Sequence, residues 1–292
     1  MTSFLPQGCG KSKFNGVGKA IKTGIGTDSS GAADPDDKEA APTPDQTAKA
    51  AGNTDSSGVV TLSAEAQCLL TTAEIFNFVF IFDVSSSTKV RDPKNVRRSG
   101  SLSFAERLGK LALESSKLDI RATALSFNRT ATSGGNGWVK LGSPAAVPSL
   151  DQDITKLTAD EAVGTHFDEA FKLGDTLLGI RNATADPKQR NYFVVMSDGQ
   201  ANGSQNTKDE LQKLVNPIVV SRGLAVISIA AGSNLISSGK DKMNAIALPT
   251  TGMVAPDHVG RYYEAPSNDE MTKAWDDFYK SITTCRSQGK AP

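Results

Sequence analysis

The stretch Asp83-Val84-Ser85-Ser86-Ser87 carries oxygen ligands at a spacing that suits a divalent cation. It ends the apolar run Phe76 to Phe82, which reads as a fully buried strand. Open α/β sheets place their ligands beyond the carboxyl ends of the strands, so Asp83, Ser85 and Ser87 would project into one pocket. Two later segments can complete it: Gly164-Thr165 precedes a helical pattern, and Ser197-Asp198-Gly199 follows a second buried run, Tyr192 to Met196. Two carboxylates and three hydroxyls make an all-oxygen set, suited to Mg2+ or Mn2+, with Ca2+ a third candidate. Zinc sites lean on Cys and His, and the chain has 3 Cys and 2 His in all. Alone, the pentapeptide reads as a strand-ending Asp with capping serines; the strand context and the two downstream segments turn the reading toward a metal.

The elements that must position these residues alternate. After the strand at Phe76 to Phe82, Ser103 and Glu106 form a capping box for a helix with Phe104, Leu108 and Leu111 on its apolar face. Leu118 to Phe127 reads as a strand and Trp138 to Leu141 as a short edge strand. Thr165 opens a helix with Phe167, Phe171 and Leu178 inward, and Thr207 with Glu210 caps another. Leu224 to Ala231 is a buried strand, Arg261 to Glu264 a short one, and Ser267 with Glu270 caps a last helix striped by Met271, Trp275, Phe278 and Ile282. Strands alternating with helices imply a parallel sheet.

The chain has 292 residues, 38% of them hydrophobic, and few apolar side chains precede position 59. Residues 1–67 read as a disordered, low-complexity tether in which Thr27-Asp28-Ser29-Ser30-Gly31 recurs as Thr54-Asp55-Ser56-Ser57-Gly58. Such a composition buries too little apolar surface to offset chain entropy. Residues 68–286 form the domain, and 287–292 a short tail. With 32 basic and 32 acidic residues the net charge is zero, which argues against a nucleic-acid partner. No apolar run reaches the 18 residues of a membrane span.

Asp83-x-Ser85-x-Ser87, then Thr165, then Asp198 in a Ser-Asp-Gly turn, resembles the metal-ion-dependent adhesion site of von Willebrand factor A-type and integrin I domains. The resemblance covers roughly residues 68 to 286. It implies a doubly wound, mostly parallel six-stranded sheet with helices on both faces. It also implies that Ser85, Ser87 and Thr165 bind the ion through hydroxyls, Asp83 and Asp198 act largely through bound waters, and a partner's Asp or Glu supplies the last ligand. The family is not usually catalytic. Some members join their chain ends by a disulfide, and Cys68 and Cys285 fall where that bridge would; the alternative is two free thiols at the domain edges. A bridge implies an oxidising compartment.

Leu5-Pro6-Gln7-Gly8-Cys9 loosely resembles the end of a bacterial lipoprotein signal, which would make Cys9 an acylation site and membrane tether, although the eight residues before it hold no apolar region. Thr88 to Leu102, with Lys89, Arg91, Lys94, Arg97 and Arg98, reads as a basic loop longer than the family's usual entry to its first helix. Arg91, Arg97 and Arg98, with His166 beside Thr165, would rim the pocket and steer an acidic partner toward the ion. The alternative is a solvated loop whose charges are balanced by nearby acids.

Enzyme readings are thin. An aspartyl phosphotransferase commonly has a second acid two residues after its nucleophile, where this chain has Ser85. A Ser-His hydrolase needs an oriented base, and His166 reads better as a rim residue. The sequence therefore favours a non-catalytic, metal-dependent adhesion or protein-binding module at the cell surface or outer membrane. Its alternative is an intracellular scaffold subunit of an assembly or metal-insertion machine.

Overall fold

A computed structural model describes residues 61–91, 95–159, 163–200, 207–232, 235–247 and 260–285. All lie in one compact unit, Ala48–Pro292. Helix α1 (Ala64–Thr72) leads to strand β1 (Ile75–Asp83), then α2 (Ser86–Arg91) and α3 (Val96–Glu114). Strands β2 (Asp119–Phe127), β3 (Ala131–Ser133) and β4 (Val139–Lys140) precede helices α4 (Ala146–Leu157) and α5 (Phe167–Ile180). The chain continues through β5 (Gln189–Ser197), α6 (Lys208–Arg222), β6 (Leu224–Ala231), α7 (Ser237–Ala247), β7 (Arg261–Ala265) and α8 (Asn268–Thr283).

The strands order as β3-β2-β1-β5-β6-β7, with β4 also on β2. All pairings are parallel except those of β3 and β4, which run antiparallel to β2. The chain winds outward from β1 to β2 on one side, then returns to place β5 on the other. β1 therefore stands at the point where the strand order reverses, the place at which such sheets open a crevice.

Period-two alternation sorts β1 into two cores. Phe76, Phe78, Phe80 and Phe82 face a layer that includes α1, α3, α4 and α8, while Val79 and Ile81 face α5, α6 and α7. On the first face Phe104 stacks on Phe278 with ring centroids 4.8 Å apart, and Phe78 stacks on Tyr192 at 4.8 Å. Gly100 of α3 leaves the space that the Trp275 indole fills. Burying a large aromatic stabilises by roughly 1.5–3 kcal/mol, so this ladder anchors β1 firmly beneath Asp83.

Several expectations are corrected. Among the described residues the sheet has seven strands where six were expected, because Ala131–Ser133 folds back on the end of β2. Ser103 does not start a helix: α3 begins seven residues earlier after Asn95, whose left-handed φ of 52° turns the chain. Ser101 sits in the helix interior, with its hydroxyl donating back to the carbonyls of Arg97 and Arg98 at 3.0 and 2.9 Å. The basic segment is thus mostly helical, not a loop. Residues 64–67, assigned to the tether, form the first turn of α1, capped by Ser63 accepting from Ala66 N–H at 3.1 Å. Cys68 accordingly lies on a helix, and α4 and α7 were not foreseen. The capping box at Thr207 is formed as expected, and Ser267 caps α8 by accepting the Glu270 N–H at 3.3 Å while its hydroxyl donates to Glu270 Oε2 at 2.7 Å. No helix among the described residues is long and apolar enough to cross a membrane.

Candidate metal centre

Asp83 is the last residue of β1, pairs in register with Phe127 of β2, and is fully buried. Its Oδ1 accepts the Ser85 N–H at 2.9 Å and its Oδ2 accepts the Ser197 hydroxyl at 2.6 Å. The Ser85 hydroxyl lies 3.1 Å from that of Ser87 and 2.9 Å from that of Thr88. The turn from β1 into α2 therefore gathers three hydroxyls beside one carboxylate.

Asp198 arrives from the neighbouring strand. It follows Ser197 at the end of β5, is fully buried, and accepts the Gln200 N–H at 2.9 Å. Gly199 makes the turn with φ of 70°, and any side chain on it would meet the backbone of Gly239 in α7. Both a left-handed residue and a close approach are needed here, and glycine meets both. Burial pushes the Asp83 carboxyl up from its ordinary value of 3.8; hydrogen bonds from Ser197 and Ser85 oppose this, and the charge on Asp198 adds to it.

Thr165 reaches the same edge from the third segment. The adjoining His166 N–H donates to the carbonyl of Asn128 at 2.7 Å, and Asn128 follows the Phe127 that pairs with Asp83. Thr165 is 1% exposed, and its hydroxyl has no hydrogen-bond partner among the described residues. A buried hydroxyl without a partner costs about 1–3 kcal/mol. Two buried carboxylates, one of them held up in pKa, and an orphaned hydroxyl at one sheet edge suit a hard divalent cation. Among the described residues no group of three or more His, Cys, Asp or Glu gathers, at this edge or elsewhere, so any cation here would rest on two carboxylates and hydroxyls.

The expected basic rim is not assembled as predicted. Arg97 is 5% exposed and turned inward, donating from Nη1 to the carbonyl oxygen of Asp83 at 2.7 Å. It braces the turn that follows β1. Arg98 is engaged with Asp151 at 2.7 Å. Arg91 closes α2, and its side chain lies outside the described residues, as does Cys9. His166 is part-exposed next to Thr165, with Nδ1 3.8 Å from Asp168. A rim cation that sequence reasoning missed is Arg129: it is exposed, and its Cγ lies 2.6 Å from where a Gly164 side chain would start.

Cys68 of α1 and Cys285, two residues beyond α8, form a disulfide with Cα atoms 5.2 Å apart. The Thr71 hydroxyl lies 3.3 Å from the Cys285 sulfur.

No protein-family model matches the sequence, and no curated protein matches it. Solved structures share its fold. The pilus adhesin SpaC from Lactobacillus rhamnosus GG superposes with a TM-score of 0.52 at 14% identity, over 72% of this chain and 30% of its own. The PilB minor pilin from Streptococcus sanguinis gives 0.50 at 14% identity, over 72% of this chain and 62% of its own. A von Willebrand factor type A protein from Catenulispora acidiphila gives 0.47 at 10% identity, over 72% and 43%. The chain thus spans less than two-thirds of the length of each of these proteins. It is a mixed α/β fold with a mostly parallel seven-stranded sheet between two helical layers, shared with an adhesin and a pilin.

Proposed function

We propose that the chain is a von Willebrand A-type binding module that recognises a partner protein through a divalent cation, and that it works outside the cytoplasm. One observation carries this reading: the partnerless, buried Thr165 hydroxyl at the edge where Asp83 and Asp198 are also buried. Among the described residues Thr123 and Ser228 also bury hydroxyls without a partner, so what sets this edge apart is such a hydroxyl beside two confined carboxylates, which is costly without a counter-charge. In this reading Mg2+ or Mn2+ is held by Ser85, Ser87 and Thr165, with Asp83 and Asp198 behind bound waters.

The chain's own residues set the chemistry. Ser197 and the Ser85 N–H occupy both oxygens of Asp83, which orients that carboxylate and reduces its capacity for direct ligation. A site with so little direct negative charge leaves the cation, once bound, electrophilic toward an incoming carboxylate. The partner's Asp or Glu completes the set. Among the described residues none at this edge is paired as a nucleophile with an oriented base, and we read the site as one that binds.

The disulfide supports an extracytoplasmic setting, since cytosolic thiols are kept reduced. The fold shared with a pilus adhesin and a minor pilin accords with a role in protein–protein contact. The test is binding of the purified chain to an immobilised Asp- and Glu-bearing peptide panel in Mg2+ and in EDTA. Binding that EDTA abolishes and Mn2+ restores supports the reading; binding indifferent to both rejects it.

A further inference from the structure

The basic segment Thr88 to Leu102 was expected to supply the cationic rim, yet Arg97 is turned inward and Arg98 is engaged with Asp151. An exposed cation beside Gly164 comes from a different loop. Arg129 follows Asn128, whose carbonyl holds His166, and so sits between the end of β2 and the start of α5. Gly164 adopts φ of 112°, and a Cβ there would lie 2.6 Å from Arg129 Cγ and 3.5 Å from Arg129 Nε. The arginine side chain therefore lies across Gly164, one residue from Thr165. Arg129 makes no ion pair among the described residues, unlike Arg98, Arg107, Arg181 and Arg222. The N-terminus of α5 lies beside it, with Asp168 and Glu169 in the first turn and no side-chain capping bond from His166.

We propose that Arg129 is a specificity-determining residue that receives a second anionic group of the partner, next to the carboxylate that meets the ion. The proposal rests on the metal-dependent reading of the site. The preferred partner segment then carries two acidic side chains close together, one for the cation and one for the guanidinium. A planar fork of N–H donors suits a carboxylate, which it can hold through two parallel bonds. Gly164 is part of the device. An alanine there would be strained and would displace the arginine stem and Thr165 together, which links ion geometry to anion specificity.

The experiment uses the full chain, Mn2+, and two blocked peptides of equal length, one with a single Asp and one with two adjacent Asp residues. Binding of each peptide is measured for the native chain, Arg129→Gln and Arg129→Lys, alongside calorimetric titration with Mn2+ alone. The native chain should prefer the two-acid peptide by about fivefold at low salt, in the range of an exposed charge pair. Arg129→Gln should lose that preference while keeping its Mn2+ affinity and its binding of the single-acid peptide; Arg129→Lys should keep part of it. An unchanged preference in Arg129→Gln overturns the proposal. Absence of Mn2+ binding with an Arg129-dependent preference intact rejects the metal reading and leaves the anion contact standing. Absence of both rejects the two together.

Discussion

Ser197 donates its hydroxyl hydrogen to Asp83 Oδ2 across 2.6 Å, tying the carboxyl ends of β1 and β5 at the point where the strand order reverses. The same Ser197 oxygen accepts the Gly199 N–H at 3.0 Å, so one side chain sets both the Asp83 carboxylate and the turn that presents Asp198. Ser197→Ala should destabilise the domain by about 1–3 kcal/mol, the cost of leaving buried groups unpaired. Urea denaturation should show a lower midpoint with an unchanged slope.

Asp83 should make stability depend on pH in an unusual direction for an acid. Its folded pKa is raised by burial, with a further push from Asp198. The stability it contributes is therefore fully present below its unfolded value and is lost as pH rises through the folded one. As pH rises above the ordinary carboxylate range without metal, the burial of Asp83 therefore weighs against the fold. Asp83→Asn should melt higher than the native chain in EDTA at neutral pH, and the gap should close on acidification below the ordinary carboxylate range. Mg2+ should raise the native melting temperature and leave the variant's unchanged. Calorimetric scans across pH, with and without Mg2+, check both parts.

Arg97 and Arg98 are neighbours with opposite fates. Arg97→Ala removes a buried charged donor from the Asp83 carbonyl, which should cost about 1.5–3 kcal/mol or more. Arg98→Ala breaks a part-exposed pair with Asp151, worth about 0–1 kcal/mol. Equilibrium unfolding of the two variants should separate them clearly.

The Cys68–Cys285 bridge spans a sequence separation of 217. By chain entropy, cross-linking a loop of that length stabilises by about 5 kcal/mol as an upper figure. Non-reducing peptide mapping should recover the two cysteines as one cross-linked pair, and Cys68→Ser with Cys285→Ser should lower the melting temperature. Recovery of both as free thiols from native protein contradicts the bridge.

Much of the frame was legible because strand burial leaves a plain record in sequence. Phe76 to Phe82 and Tyr192 to Met196 are continuous apolar runs, and the polar residues that end them had to be turned toward something. The pairing of Cys68 with Cys285 that the resemblance implied is also formed. What was not legible lies in contacts between segments far apart in the chain. Ser103 with Glu106 has the form of a capping box, but α3 is already under way from Asn95 and its serines bond back to their own helix. Arg97 looks like any other charge in a basic run, because its partner is a main-chain carbonyl that no side-chain pattern records. Arg129 owes its position to the missing side chain of Gly164, 35 residues on. Helix α4 escaped notice because its N-cap Ala145 makes no side-chain capping bond and Pro148 lies in its first turn.

The measurement that bears most directly on the cation is calorimetric titration of Thr165→Val with Mg2+ and Mn2+. The substitution nearly preserves shape and removes a hydroxyl that has no partner among the described residues. In EDTA the variant should therefore be as stable as the native chain or more so. Its affinity for both ions should fall by at least about tenfold, a loss of about 1.4 kcal/mol, and binding of acidic peptides should fall with it. Native ion affinity in a well-folded Thr165→Val chain, or no ion binding by the native chain at all, contradicts the account.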